Sequence, residues 1–99
     1  MKLLVFLAKG FETIEFSAFI DVMGWAKTDF DCKIDVVTCG LNRKVISSFN
    51  VPVLVDKVID EVSADDYDAL AIPGGFEEFG FYEEAYNLSL IHISEPRDP

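Results

Sequence analysis

Two short apolar runs that each stop at glycine constrain the fold of this chain more than any other feature. Residues 3–8 carry no charge and are followed closely by Gly10, and residues 68–72 lead directly into Pro73-Gly74-Gly75. A short apolar run that ends at a turn residue is typical of a strand buried on both faces of a parallel sheet. Ligands of open α/β sheets bind beyond the carboxyl ends of such strands, so both glycine turns are candidate site elements.

The residues after the first run predict one βαβ unit. From residue 11 to residue 26 apolar side chains recur at helical spacing, at Phe11, Ile14, Ala18, Phe19, Val22, Met23 and Ala26. We expect this helix to end at Thr28-Asp29. Residues 33–38 form a short segment rich in β-branched side chains, which predicts a second strand that ends near Gly40. Strand, helix and strand in this length imply a parallel pair of strands joined by a crossover.

The middle of the chain predicts smaller elements. Residues 41–58 predict a hairpin or a pair of edge strands, because Pro52 cannot donate to a central ladder. Residues 58–62 are expected to continue this edge structure. Residues 63–66 predict a short helical turn with Ser63 as a candidate N-cap, and the acidic, aromatic residues 77–86 are expected to begin another helix.

Length and charge exclude several classes of protein. The chain has 99 residues, which limits it to one domain. Its net charge of −10 leaves no basic footprint, so we expect no nucleic-acid partner. The longest uncharged apolar stretch is too short to cross a bilayer, and no small-residue cleavage site follows it. We therefore expect no membrane contact and a cytoplasmic location. No phosphate, dinucleotide or metal-binding motif is present, so we expect no cofactor and no metal.

The last residues differ in character from the rest. Residues 87–99, NLSLIHISEPRDP, have no clear period, and LSLIHISEP is also similar to the translation of a transposase-type sequencing adaptor. We therefore interpret residues 87–99 as a non-native or disordered tail, and residues 1–86 as the amino-terminal part of a domain that continues in the natural protein. A genuine C-terminal tail is the alternative. His92, the sequence's single histidine, falls in this stretch.

Glu15 is the sharpest candidate for chemistry. It lies four residues after Phe11 and four before Phe19, which predicts a position on the apolar stripe of the helix. A carboxyl group in partly desolvated surroundings has a raised pKa and can serve as a proton donor or acceptor near neutral pH. The alternative is a first-turn glutamate that points to solvent and stabilises the helix dipole.

Gly74 and Gly75 are the second candidate. Paired glycines after a buried strand let the backbone turn sharply and present N–H groups to a ligand, and such groups can form an oxyanion hole. The alternative is a plain turn. Cys32 and Cys39 are separated by six residues, which fits neither a zinc site nor a redox pair, so we expect ordinary half-buried thiols.

The order of these motifs resembles the DJ-1/PfpI family. KLLVFLAKGFETIE is similar to the family's opening strand, its small loop with Gly-Phe-Glu, and a glutamate three residues later. Residues 16–26 resemble the first helix, residues 47–56 the small hairpin, and ALAIPGG the strand and turn beside the nucleophile. The similarity covers residues 2–86. It implies a flavodoxin-like three-layer α/β sandwich with a parallel sheet, incomplete in this chain.

The resemblance also implies roles for the candidate residues. Glu15 matches the glutamate that sits against the family's reactive cysteine, and Gly74 and Gly75 match the turn that supplies backbone N–H groups beside it. That cysteine lies on a strand-to-helix elbow after the next helix, and neither Cys32 nor Cys39 matches it. Glu15 is thus expected to be the acid/base partner of a cysteine absent here.

Two functions of the intact parent follow from the resemblance. The first is a cysteine-dependent hydrolase, or a glyoxalase- or deglycase-like enzyme, that acts on small carbonyl compounds or peptides. The second is a non-enzymatic redox-sensing or chaperone-like stress protein, in which the same cysteine is oxidised. Family members are usually homodimers, so a second copy is the expected protein partner. The 99-residue chain itself is expected to be inactive.

Overall fold

The computed structural model describes residues 1–81 and residue 84, so the tail predicted for residues 87–99 lies outside the described part. The strands and the helix, in chain order, are β1 (Lys2–Phe6), α1 (Thr13–Asp29), β2 (Asp35–Gly40), β3 (Lys44–Ile46), β4 (Pro52–Leu54), β5 (Lys57–Val58) and β6 (Ala69–Ala71). Single 3-10 turns occupy Ser48–Asn50, Ile59–Glu61, Ala64–Asp66 and Glu77–Phe79.

The main sheet is parallel and has β1 at its centre. Within the described residues its order is β5-β2-β1-β6, and all three pairings are parallel. The chain leaves β1 toward β2 on one side and later returns to β6 on the other side. This reversal is the topological switch point of a flavodoxin-like sheet, and it lies between β1 and β6. The expected α/β fold with a parallel sheet is therefore present.

The core is built around β1 and the residues that follow it. Five consecutive or nearly consecutive apolar side chains have no exposed surface: Val5, Phe6, Leu7, Ala8 and Phe11. The amide of Leu7 donates to the carbonyl of Cys39 at 2.8 Å, which extends the contact with β2 beyond the end of β1. A strand covered on both faces explains why the run from residue 3 to residue 8 is uninterrupted.

Helix α1 begins two residues later than its apolar spacing predicts, and its inward stripe is different. Phe11 precedes the helix and forms an isolated antiparallel bridge with Gly75. The side chains of α1 that pack on the core are Phe16, Phe19 and Met23. Ile14 and Val22, assigned to the stripe from the sequence, are 75% and 59% exposed. Phe19 and Met23 of the predicted stripe do pack on the core. The prediction was wrong at Ile14 and Val22, and Phe11, from which the spacing was counted, precedes the helix.

The remaining elements follow the sequence in part. Strands β3 and β4 form the expected antiparallel hairpin. They make a two-stranded sheet of their own, and Pro52 lies in its terminal residue pair. The continuation expected over residues 58–62 was wrong: β5 pairs with β2 in the main sheet, and a 3-10 turn follows it.

Two further predictions concern short turns. Residues 64–66 do form one, but the Ser63 side chain makes no capping hydrogen bond. Of the helix expected over residues 77–86, the described part contains the turn Glu77–Phe79, which ends at Gly80 in the left-handed conformation. No helix among the described residues is long and apolar enough to cross a membrane.

Candidate functional site

The two glycine turns meet at the switch point of the sheet. Leu3, Leu4 and Val5 of β1 pair with Ala69, Leu70 and Ala71 of β6, so the carboxyl ends of these strands lie side by side. Beyond the strands, the Phe11–Gly75 bridge joins the loop that enters α1 to the turn that leaves β6. The loop before α1 and the turn after β6, which lie far apart in the sequence, thus meet at the edge where α/β sheets bind ligands, and we call this meeting point the corner.

Gly74 is held at this corner through both of its backbone polar groups. Its N–H donates to Oε1 of Glu15 at 2.7 Å. Its carbonyl oxygen accepts the N–H of Glu12 at 2.6 Å. Hydrogen bonds to a carboxylate are among the stronger ones in proteins. The structure therefore brings together Glu15 and Gly74, the two residues that the sequence marked independently.

The surroundings of Glu15 differ from those expected. Its side chain is exposed, and it lies outside the stripe of Phe16 and Phe19 that faces the core. The partly desolvated environment inferred from helical spacing was wrong, because Phe11 is not part of the helix and its distance from Glu15 in sequence does not define a helical face. The neighbouring amide of Gly74, rather than burial, holds the carboxylate in place.

The N–H groups of Gly74 and Gly75 differ in whether they are already hydrogen-bonded. The Gly74 N–H is occupied by Glu15, so it can serve a second acceptor only if that carboxylate moves away. Gly75 makes no such contact: within residues 1–81 and residue 84, its N–H donates no hydrogen bond. Of the two oxyanion donors expected from the sequence, Gly75 is the one whose N–H is available in this structure.

Close packing explains why this corner is built from glycine. A Cβ atom on Gly75 would overlap the Phe81 ring and lie 2.7 Å from the carbonyl oxygen of Gly10. On Gly74 a Cβ atom would lie 3.1 Å from Oε1 of Glu15, which is tight for a carbon–oxygen contact. Gly10 has φ +77° and packs against Phe79, so it meets both a conformational and a steric requirement.

A polar cluster next to the corner was missed by the sequence analysis. It joins the β3–β4 hairpin to the start of α1. The Thr13 hydroxyl donates to the Ser47 hydroxyl at 2.8 Å, and the Ser48 hydroxyl donates to Oε1 of Glu12 at 3.1 Å. Ser47 and Ser48 are 2% and 1% exposed. The sequence feature that could have predicted this cluster is the pair of adjacent serines between apolar hairpin residues. Serine is common in turns, so this feature is weak evidence.

Aromatic rings flank the same corner. The ring of Phe79 lies 5.4 Å from the ring of Phe49 and 6.3 Å from that of Phe76, measured between centroids. Phe76 directly follows Gly75 and is 43% exposed, and Phe49 is 77% exposed. The wall beside the corner is thus apolar and open to solvent.

Cys39 does not have the surroundings of a nucleophile. Burial raises the pKa of the Cys39 thiol to about 12, and this residue lies in β2, where it pairs with Phe6. Cys32 is exposed and follows the end of α1. A reactive cysteine needs a lowered thiol pKa, which Cys39 lacks. No group of three metal-binding side chains is found within the described residues.

The strand order and the corner at the switch point define this protein as a flavodoxin-like α/β protein with a carboxylate–glycine site. The model of the DJ-1/PfpI family matches residues 1–87. The chain therefore belongs to the DJ-1/PfpI family.

Individual relatives agree with this assignment. The chain is 32% identical, over 90 residues, to protein DJ-1 homolog B of Arabidopsis thaliana. Among solved structures it is similar to oxidized DJ-1 of Toxoplasma gondii, with 35% identity, a TM-score of 0.65 and 77% of this chain covered. It is also similar to DJ-1 of Schizosaccharomyces pombe, with 33% identity, a TM-score of 0.63 and 76% covered.

The chain spans only part of each relative. It corresponds to 20% of the Arabidopsis protein, 39% of the Toxoplasma structure and 41% of the Schizosaccharomyces structure. The parallel sheet of the described residues is accordingly an incomplete version of the sheet in those structures.

Proposed function

We propose that this chain is the amino-terminal part of a cysteine-dependent hydrolase, or of a glyoxalase- or deglycase-like enzyme, that acts on small carbonyl compounds or peptides. The observation that supports this most directly is the 2.7 Å hydrogen bond between Glu15 and the Gly74 amide at the switch point of the sheet. A carboxylate and a backbone N–H group at one ligand-binding edge can serve proton transfer and stabilisation of negative charge.

The chemistry assigns one role to each group. A cysteine thiolate from outside the described residues would donate an electron pair to the carbonyl carbon, forming a carbon–sulfur bond while the π electrons move to oxygen. The Gly75 N–H would donate to that oxygen. Glu15 would hydrogen-bond the sulfur or pass a proton to the oxygen, and the Gly74 N–H would become a second donor once Glu15 releases it.

Turnover of methylglyoxal by the full-length protein tests this function. We expect Glu15→Gln to lower kcat/KM by about 10²-fold or more, the usual contribution of general acid–base catalysis. Asp65→Asn is the matched control, because it removes the same charge from an exposed residue in the turn before β6, at the opposite end of that strand from the corner, and should leave turnover unchanged. Full activity of Glu15→Gln would remove Glu15 from the mechanism.

A redox-sensing or chaperone-like stress protein is the second candidate. The similar Toxoplasma gondii structure is that of an oxidized DJ-1, which supports oxidation as an alternative fate of the thiolate. In that case the sulfur would attack a peroxide oxygen, the O–O bond would break and a sulfenate would form with release of water or hydroxide. Peroxide-dependent gain of oxygen, seen by mass spectrometry in a protein that does not turn over methylglyoxal, would favour this candidate.

Partners and location follow from the same reasoning. We propose that the full-length protein forms a homodimer, and the exposed apolar residues Val51 and Leu54 of the β3–β4 hairpin support a second copy as a partner. The free thiols of Cys32 and Cys39 support a reducing, cytoplasmic location. The excess of acidic residues supports the absence of a nucleic-acid partner.

A further inference from the structure

The start of α1 receives its cap from the hairpin and not from its own N-cap residue. Glu12, the N-cap residue, makes no side-chain capping hydrogen bond. Instead the hydroxyl oxygen of Ser48 lies 3.5 Å from the N–H of Thr13, and the N–H of Ser48 donates to the carbonyl of Phe11 at 2.8 Å. The first N–H groups of a helix have no intrahelical acceptors, so a hydroxyl supplied from another element can take this role.

The turn that supplies Ser48 has an unusual backbone conformation. Phe49 has φ 58° and ψ 29°, and Asn50 has φ 67°, so two successive residues other than glycine are left-handed. This conformation is tolerated by asparagine but is a genuine outlier for a bulky residue such as phenylalanine. Phe49 is 77% exposed, so burial of its ring does not offset the cost. Strained residues persist where surrounding contacts hold them, and they concentrate at functional sites.

We propose that Ser48 is a positioning residue for Glu15, an inference that rests on the proposed function. Ser48 contacts the backbone of Phe11 and the carboxylate of Glu12, which lie four and three residues before Glu15 in the sequence. Glu12 and Glu15 in turn hold the C=O and the N–H of Gly74. By fixing the first turn of α1, the hairpin sets the distance between the Glu15 carboxylate and the Gly74 amide.

The amide of Gly74 provides a direct readout in the full-length protein. The Glu15→Gln variant provides a reference NMR spectrum, because it shows where the Gly74 amide resonance lies when no carboxylate accepts its hydrogen bond. We expect Ser48→Ala to move this resonance toward that position. We also expect Ser48→Ala to accelerate hydrogen exchange at Gly74 about fivefold more than at Leu7, as loss of one hydrogen bond's net stabilisation implies. The Leu7 amide, which donates to Cys39 in the core, reports general destabilisation.

Controls separate positioning from a purely structural role. Ser17→Ala removes an exposed hydroxyl from the same helix and should leave the Gly74 resonance unchanged. Equal acceleration of exchange at Gly74 and Leu7 in Ser48→Ala, or an unmoved Gly74 resonance, would overturn the proposal.

A second variant covers the possibility that Ser48→Ala does not fold. Thr13→Val keeps the shape of the side chain and removes the hydroxyl that binds the two hairpin serines, so it should move the Gly74 resonance in the same direction. An unmoved resonance in folded Thr13→Val would equally overturn the proposal. Because the amide readout needs no substrate, failure of the proposed enzymatic function would appear separately, as absent methylglyoxal turnover.

Discussion

Cys39 is an example of a side chain whose chemistry is decided by its surroundings. It has no exposed surface, and burial raises its thiol pKa from 9.0 to about 12. Desolvation disfavours the charged thiolate, which is the nucleophilic form. Cys39 is therefore expected to pack as a small apolar residue. The half-buried thiols expected from the sequence were wrong in degree, because Cys39 is fully buried and Cys32 is exposed.

The raised pKa of Cys39 predicts a loss of stability in alkali. Above pH 9 the unfolded chain releases the thiol proton while the folded protein retains it, so the stability contributed by this thiol is complete below pH 9 and is lost as the pH rises toward 12. Between pH 8 and pH 10 we expect the free energy of unfolding of the full-length protein to fall by about 1 kcal/mol more than that of Cys39→Ala.

Urea unfolding at several pH values measures this difference. Cys32→Ala is the control, because its thiol is exposed and its removal should leave the pH dependence of the wild type unchanged. Parallel stability curves for the wild type and Cys39→Ala would contradict the assignment.

At the residue scale, the sequence identified Glu15 and Gly74 as candidate site residues, but it did not identify the hairpin contacts that hold this region in place. Glu15 and Gly74 could be predicted because each lies just beyond a buried strand, Glu15 after the turn at Gly10 and Gly74 within the turn that ends β6. Ser48 could not, because its hydroxyl contacts Glu12, 36 positions earlier, only after the hairpin docks on the helix. A contact between residues so far apart leaves no local pattern in the sequence, whereas burial of a strand produces a run of consecutive apolar residues.

At the scale of elements, the strands were more predictable than the helix face. β6 and, after its first residue Lys2, β1 lie within uninterrupted apolar runs, which few other structures would accommodate. Helix α1 carries apolar residues on its solvent side as well, including Ile14, Val22 and Trp25, so its spacing alone does not define one stripe. The packed face is settled by the fold, which turns Phe16 and Phe19 toward the core.

Truncation on the two faces of α1 should have unequal effects. We expect Phe19→Ala to lower the free energy of unfolding of the full-length protein by about 2–3 kcal/mol, because it removes a ring packed on the core. Val22→Ala is the matched variant on the exposed side, and it should change stability by about 0.5 kcal/mol or less. Chemical denaturation measures both, and a larger effect of Val22→Ala would show that this side is covered in the full-length protein.

At the scale of the whole molecule, much apolar surface remains open in the described part of the chain. Trp25 and Leu54 are 56% and 73% exposed, and Phe49 is 77% exposed. Within residues 1–81, β6 pairs with β1 on one side and has no partner strand on the other. Unpaired strand edges and exposed apolar surface both promote association.

The 99-residue chain expressed by itself should therefore associate. We expect sedimentation velocity to give species larger than a monomer, with a proportion that grows with protein concentration, and we expect no methylglyoxal turnover. The matched variant Leu54→Lys places a charge on the exposed side of β4 and should reduce the associated fraction. A monomer that unfolds cooperatively on heating would contradict this expectation.

The bond from the Glu12 N–H to the Gly74 carbonyl has an effect on the next residue along the chain. That carbonyl and the N–H of Gly75 belong to one rigid amide plane, and in a trans amide they point in opposite directions. Anchoring the oxygen toward the helix therefore aims the Gly75 N–H away from it. Rotation of this plane would break the hydrogen bond to the helix. The bond donated by Glu12 therefore fixes the direction of the Gly75 N–H, which donates no hydrogen bond within the described residues.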